Sequence, residues 1–472
     1  MKLLHTKILI VGGGPAGYPC AIRAGQLGRD VTLVDASGLG GTCLNRGCIP
    51  SKAYIHAAGQ FETVQSHAKA PAMGLTCSDP KLELSGLLKW KDDLVGKLTG
   101  GVGQLLKAAG VKVIVGHAVF LDAKTCEVAL ADGGSQTITA ENVVLATGSS
   151  EAELPFLPFD DRVLSSTGLL ELANLPKTLA VVGAGYIGLE LGIAFARLGT
   201  KVTFVEALDA ILPQFDAELT RPVVRWLKQH KVDLHLSAKA KGINKKGLVF
   251  TDAKGNEQSI AAEKILVAVG RKPNTTQLGL ENMAIDMDGA FIKVDDQCRT
   301  AMRGTWAIGD VVGEPMLAHK GTRQGEMVAE ILAGHRRRFD PVAIAAVCFT
   351  EPEIVGVGLD PKQATAAGED VVVGKFPFAA LGKALSMGAG ADGGFVRVTA
   401  RKSDHVILGI HGVGSHIAEL SGEFALALEM GARLEDIAGT IHVHPTLSEG
   451  FAESAMTALG QPLHISMPRS RS

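Results

Sequence analysis

The sequence predicts an α/β protein with two nucleotide-binding units in tandem and a C-terminal part of different make. Three observations predict it. The stretch KILIVGGGPAGYPCAIRAGQLGRDVTLVDA, Lys7 to Ala36, recurs as TLAVVGAGYIGLELGIAFARLGTKVTFVEA, Thr178 to Ala207. Each copy reads strand, glycine loop, helix, strand, and in each the acid closing the second strand stands 23 positions after the first glycine. From about Ala345 the glycine loops stop, and CFTEPEIVGVG, GGFVRVTA and HVILGIHGVG read as strands ahead of a helical IAELSGEFALALEMG.

In the first copy Gly12 makes the tight turn, Gly14 admits a pyrophosphate against the backbone, and Gly17 lets the helix pack on the strand. Gly183, Gly185 and Gly188 repeat those roles in the second. The phosphates then meet the positive end of a helix dipole. Asp35 and Glu206, at the strand ends, are placed to accept ribose hydroxyls. A carboxylate repels a 2′-phosphate, so Glu206 argues for NAD over NADP.

Just after the first unit comes GGTCLNRGCIPSK, Gly40 to Lys52, with cysteines five positions apart. In a regular helix that spacing is roughly 7.5 Å of rise, whereas disulfide Cα atoms sit about 4.4 to 6.8 Å apart. If Cys43 and Cys48 are joined, the backbone must be distorted. Gly47 supplies that freedom, and Pro50 allows a sharp redirection nearby. Near the end lies IHVHPTLSEGF, Ile441 to Phe451. Pro445 holds His444 extended, and a helix starting around Thr446 to Ser448 puts Glu449 in its first turn. A carboxylate there can fix the imidazole tautomer and raise its basicity. His442 reads as structural.

Bulk properties set limits. A chain of 472 residues predicts roughly three domains at about 150 residues each. The 46% apolar content and 57 glycines suit a folded α/β protein. A net charge of −2 with no basic stripe excludes a nucleic-acid partner. The basic clusters Arg336 to Arg338 and Arg469/Arg471 read as solvated. No apolar run approaches the ~18 residues of a membrane span. The N-terminus passes from Lys2 and His5 into a strand at Ile8 to Val11, which leaves no room for a targeting peptide. Cys20, Cys77, Cys126, Cys298 and Cys348 form no metal-ligand pattern and read as buried small hydrophobes. A reducing compartment follows, most simply the cytoplasm.

The GGTCLNRGCIPSK string resembles the active-site segment of the pyridine nucleotide disulfide oxidoreductases and, within them, of the dihydrolipoamide dehydrogenases, which read GGTCLNxGCxPSK. HPTLSE matches the same family's C-terminal motif, and the motifs fall in order over essentially the whole chain. The resemblance implies a glutathione reductase-like fold: two Rossmann-like dinucleotide-binding domains, for FAD and NAD, plus a C-terminal α+β dimerisation domain. It divides the chain into an FAD-binding domain (1–150), an NAD-binding domain (151–273), a central domain completing the FAD site (274–344) and an interface domain (345–472).

By the same resemblance Cys43 is the interchange thiol, Cys48 lies against the flavin, and Lys52 sits near the flavin paired with Glu190. The FAD site takes Gly12, Gly14, Gly17, Asp35, Thr42, Lys52, Ala118, Gly148, Asp310 on the ribityl chain and Ala318 near the ring. The NAD site takes Gly183, Gly185, Gly188, Glu206 and Gly270, with Tyr186 as a lid over the flavin. His444 is the acid/base and Glu449 its orienter, reaching the cysteines of the second subunit of an obligate homodimer. The implied reaction is NAD-linked oxidation of dihydrolipoyl groups carried by subunits of 2-oxo acid dehydrogenase complexes.

Mercuric reductase needs a C-terminal cysteine pair, and MPRSRS has none. Glutathione or trypanothione reductase is disfavoured by Glu206 and by the absence of arginine from Val205 to Asp216. A non-catalytic flavin scaffold is disfavoured by the intact Cys43, Cys48, His444 and Glu449. Three departures from the family pattern, Asp35 for Glu, Phe349 for Tyr and GTRQGEM after His319, read as remote from the redox centre. The last resembles the variant of branched-chain oxo acid complexes.

Overall fold

The computed structural model describes residues 3–70 and 73–466; Lys2, Arg469 and Arg471 lie outside them. The first sheet is built from β1 (Leu3–Val11), β2 (Val31–Asp35), β3 (Lys112–Phe120), β4 (Thr125–Leu130) and β5 (Ser135–Leu145). β1 pairs in parallel with β2 and β5, and β2 with β3, while β4 runs antiparallel against the far halves of β3 and β5. Ile8 to Val11 are all buried, as a strand covered on both faces requires. The strand starts earlier than its apolar run because Leu3 to Thr6 pair with Thr137 to Ala140, where periodicity gives no signal.

Helix α1 (Gly17–Gln26) follows the first glycine loop. Next come α2 (Gly41–Arg46), α3 (Cys48–Lys69) and α4 (Leu84–Ala108).

The second unit is an all-parallel sheet of β6 (Val163–Leu164), β7 (Thr178–Val182), β8 (Lys201–Val205), β9 (Asp233–His235) and β10 (Lys264–Val267), in the order β9-β8-β7-β10-β6. Its helices are α5 (Tyr186–Arg197), after the second glycine loop, and α6 (Ala217–Gln229). Helix α5 packs against α3, and Tyr54 stacks on Phe195 with ring centroids 5.8 Å apart. That contact seats the second unit on the cysteine helix.

The chain then returns to the first sheet: β11 (Thr305–Ala307) pairs in parallel with β5, and α7 (Ala318–Leu332) lies along α1. An alanine at Gly325 would bring its Cβ to 2.3 Å from the Ala16 carbonyl oxygen. The two helices therefore touch through glycine.

The C-terminal sheet holds β12 (Ala346–Cys348), β13 (Glu353–Gly358), β14 (Val371–Pro377), β15 (Phe395–Arg401) and β16 (Ile407–Gly414), antiparallel in the order β12-β13-β16-β15-β14. Helix α8 (Glu449–Ala458) covers β14 and β15. IAELSGEFALALEMG is one short 3-10 turn, Ile417–Leu420, leading into an α-helix, Ser421–Glu429. Arg397 on β15 pairs with Asp216, the N-cap of α6, and with Glu218, joining this sheet to the second unit.

Four of the five cysteines read as core are buried, but Cys77 is exposed. It lies in a segment without regular structure between α3 and α4, and residue type alone does not bury a side chain there. Arg336 to Arg338 are exposed, as expected. No helix among the described residues is long and apolar enough to cross a membrane.

Candidate active site

The first glycine loop, the cysteine segment and the start of α7 enclose a cavity of about 360 Å³. Gly12 turns at φ 109°, and a Cβ there would meet the Ala146 carbonyl oxygen at 2.1 Å. At Gly17 an added Cβ would fall 1.8 Å from the Gly12 carbonyl oxygen, so this glycine serves helix packing and does not line the cavity. Gly14 does line it, and a Cβ there would have only Gly41 Cα, at 3.7 Å. The loop is thus closed on its protein side and open on its cavity side, next to the N-terminus of α1.

The second loop is built alike. Gly183 and Gly188 are closed by backbone, with an added Cβ at 2.5 Å from Ala268 O and 2.1 Å from Gly183 O, whereas Gly185 has nothing within 4 Å. The acids add a function that spacing did not reveal. Asp35 accepts from Gly13 N–H at 2.5 Å and Ser37 N–H at 2.7 Å; Glu206 accepts from Ala184 N–H at 2.6 Å and Leu208 N–H at 2.8 Å. Each carboxylate ties down its own glycine loop and keeps lone pairs for a hydroxyl donor. Gly270, at φ 133°, follows β10.

Between the cysteines the helix breaks. α2 ends at Arg46, Gly47 adopts φ −130° and ψ −105°, and α3 starts at Cys48. The distortion sits at Gly47 and not at Pro50, which is buried in the first turn of α3, where its missing N–H removes no helical bond. Both sulfurs are free thiols in this form, and both residues line the cavity.

A hydrogen bond from Cys43 pulls the Cys48 pKa down to about 7, with Lys52 adding to it against the cost of burial. The same hydrogen bond, then burial, raises Cys43. Of the two, Cys48 is the more acidic thiol and Cys43 the less acidic one.

Lys52, one turn along α3, meets Glu190 of α5 at 2.7 Å. Burial works against its ammonium, but Glu190 and Cys48 outweigh it and its pKa is raised. Glu190 also accepts the Phe349 N–H at 3.0 Å, and the Phe349 ring lies under Lys52 Nζ, 4.4 Å from its centroid. Phe349 is thus in the redox centre and not remote from it. GTRQGEM is not remote either: Gln324 accepts the N–H of Gly309, beside Asp310, at 2.9 Å. The Phe349 contact joins segments 159 residues apart, which no local pattern announces, and the Gln324 contact, 15 residues long, carries no motif of its own.

Asp310, in a 3-10 turn, accepts from Ser149 Oγ at 2.5 Å. Arg271 donates to Ser149 Oγ at 2.7 Å and Ser149 O at 2.6 Å. Asp310, Ala318 at the start of α7, Thr42, Gly148 and Tyr186 all line the cavity. Arg271 and Arg46 line it too, at positions to which the sequence motifs assign no role, although Arg271 stands directly after Gly270. Ala118 does not line it: it stands on β3, 3% exposed, in the core of the first unit.

His444 Nδ1 meets Glu449 Oε1 at 2.8 Å, and Glu449 Oε2 accepts the Thr446 N–H at 2.8 Å. Burial opposes ionisation of Glu449, but His444 and that N–H hold its pKa below the usual range. The His444 side chain is 79% exposed and is not on the cavity wall. Within one chain, therefore, the structure forms the dyad without bringing it to the cysteines. His442 pairs with Glu423 at 3.1 Å.

Among known families, "Pyridine nucleotide-disulphide oxidoreductase" matches residues 6–325 and its "dimerisation domain" residues 344–455. The chain is 53% identical to a dihydrolipoyl dehydrogenase of Pseudomonas aeruginosa, over 98% of this chain and 100% of that one. It is 43% identical to a dihydrolipoyl dehydrogenase of Bacillus subtilis, over 98% of each. The LpdA structure from Mycobacterium tuberculosis superposes with a TM-score of 0.87 at 29% identity, over 95% of this chain and 99% of that one. The HOCl-induced flavoprotein disulfide reductase RclA of Escherichia coli gives 0.84 at 26% identity, over 95% of this chain and 99% of that one.

Proposed function

The chain belongs to the pyridine nucleotide-disulphide oxidoreductase family, and from that premise we propose that it is an NAD-linked dihydrolipoyl dehydrogenase acting as a homodimer. The observation that carries this reading is the convergence of Cys43, Cys48, Lys52 and Glu190 on one cavity that a dinucleotide-type glycine loop also lines. The four-part division at residues 150, 273 and 344 belongs to the same proposal, as does a cytoplasmic location.

The residues present fit FAD. The cradle at Gly14 is a space that a Cβ would fill, Asp35 is set for a ribose, and Asp310 and Ala318 line the same cavity. Gly185 leaves the matching space for NAD, with Glu206 as the hydroxyl acceptor. When bound, the two cofactors supply the electron acceptor and its pyridine outlet.

The protein's own residues do the sulfur chemistry. His444 of the second copy takes a proton from one thiol of the dihydrolipoyl group, and Glu449 fixes its tautomer through Nδ1. In the oxidised enzyme the resulting thiolate attacks Cys43 Sγ, and the Cys43–Cys48 bond breaks with Cys48 leaving as thiolate. The second substrate thiol then displaces Cys43, which leaves protonated, and the lipoyl disulfide forms. Two electrons have moved from substrate to the cysteine pair. Lys52 stabilises the Cys48 thiolate, which is why the leaving sulfur is Cys48 and not Cys43.

The substrate itself is the test. NAD⁺ reduction by dihydrolipoamide, well above that with NADP⁺ and without turnover of glutathione disulfide or mercuric ion, is the expected result. Turnover of either alternative in place of dihydrolipoamide overturns the reading. A lipoyl-bearing subunit of a 2-oxo acid dehydrogenase complex is the proposed physiological partner.

A further inference from the structure

Lys52 is the one cation beside the dithiol that the thiolate assignment uses, and the units of the fold hold it unequally. Its own helix, α3, contributes the backbone. Helix α5 contributes Glu190 at 2.7 Å. The third support comes from the C-terminal sheet: Phe349, directly after β12, puts its ring face 4.4 Å from Nζ and donates its N–H to Glu190 Oε1 at 3.0 Å. Its neighbours are fixed, since Cys348 is fully buried and Thr350 is 3% exposed, with Thr350 Oγ1 bonded to Pro352 O at 2.8 Å. The ring therefore has little freedom to leave the ammonium.

A benzene face attracts a cation through its quadrupole without neutralising it. A carboxylate does otherwise, since its charge cancels the field of Lys52 at Cys48 and opposes the thiolate. An aromatic face can hold Lys52 in place and leave that field intact.

We propose that Phe349 is a positioning residue for the redox dithiol: its ring and backbone N–H together hold the Lys52–Glu190 pair so that the ammonium faces Cys48. This rests on the reading of Cys43 and Cys48 as the redox pair and adds a residue from the C-terminal unit to it. It also makes the acidity of Cys48 depend on the docking of that unit onto α3 and α5.

The test is the pH dependence of Cys48 alkylation by iodoacetamide in the reduced holoenzyme, for wild type, F349L, F349Y and a variant carrying pentafluorophenylalanine at 349. F349L should move the midpoint upward by about half a unit to one unit, the scale expected for a cation–π contact of ~1 kcal/mol. F349Y should restore it. Pentafluorophenylalanine keeps the shape and reverses the quadrupole, so it should reproduce the F349L shift at unchanged thermal stability. In a K52M background F349L should add no shift. An unmoved midpoint in the pentafluoro variant, or an equal shift without Lys52, overturns the proposal. Wild-type turnover of dihydrolipoamide is measured alongside, and its absence counts against the dithiol reading and not against Phe349.

Discussion

The Lys52–Glu190 pair gives a prediction in which stability and thiol chemistry separate. Lys52→Met leaves Glu190, whose side chain is 5% exposed, with the Phe349 N–H as its remaining partner. An uncompensated buried carboxylate costs about 3 to 5 kcal/mol. Glu190→Gln differs, because the amide oxygen can still accept from Lys52, and Lys52, 34% exposed, reaches water more easily. The loss there is about 1 kcal/mol, a charge-assisted contact reduced to an ordinary one. Lys52→Met should therefore lower the apparent melting temperature clearly more than Glu190→Gln. The sulfur should respond with opposite signs. Lys52 helps lower the Cys48 pKa to about 7, and Glu190 works against that lowering. Lys52→Met should move it up by about one to three units, and Glu190→Gln should move it down. Thermal melts and thiolate titration of the reduced protein read the two effects independently. Equal destabilisation, or thiol shifts of the same sign, would refute the reasoning.

The two glycine types in the second loop should part company. Gly188→Ala brings a Cβ to 2.1 Å from Gly183 O and should destabilise the second unit, whereas Gly185→Ala meets nothing within 4 Å, should fold normally and should raise the KM for NAD. Cys43→Ser and Cys48→Ser should each abolish lipoamide turnover while retaining flavin and its reduction by NADH; loss of flavin from both would count against the site. His444→Gln should slow the thiol step by roughly 10² to 10⁴ in stopped-flow experiments with dihydrolipoamide, and an unchanged rate removes it from the mechanism. Glu449 has a lowered folded-state pKa, so its contact with His444 contributes stability above the ordinary carboxylate range and loses it as pH falls through the folded value. Glu449→Gln should flatten that acid limb of the melting curve.

What the sequence determined by itself was whatever is written locally. Glycine spacing with a strand-end acid fixes a turn, a helix start and a carboxylate within some two dozen residues, so both nucleotide units were legible. The helix break between Cys43 and Cys48 was legible because a five-residue spacing is incompatible with a regular helix, although the break belongs to Gly47 and Pro50 rides inside the helix. The His444–Glu449 dyad was legible because a proline and a helix start lie between its members. Only the tertiary structure could decide what meets across long separations. Phe349 reaches Lys52 and Glu190 because the C-terminal sheet docks where α3 and α5 pack together. Arg271 enters the cavity because its strand pairs with Ser149–Glu151. Such contacts are set by the packing of whole units against one another, and a side chain whose partner lies more than a hundred residues away carries no local pattern to mark it.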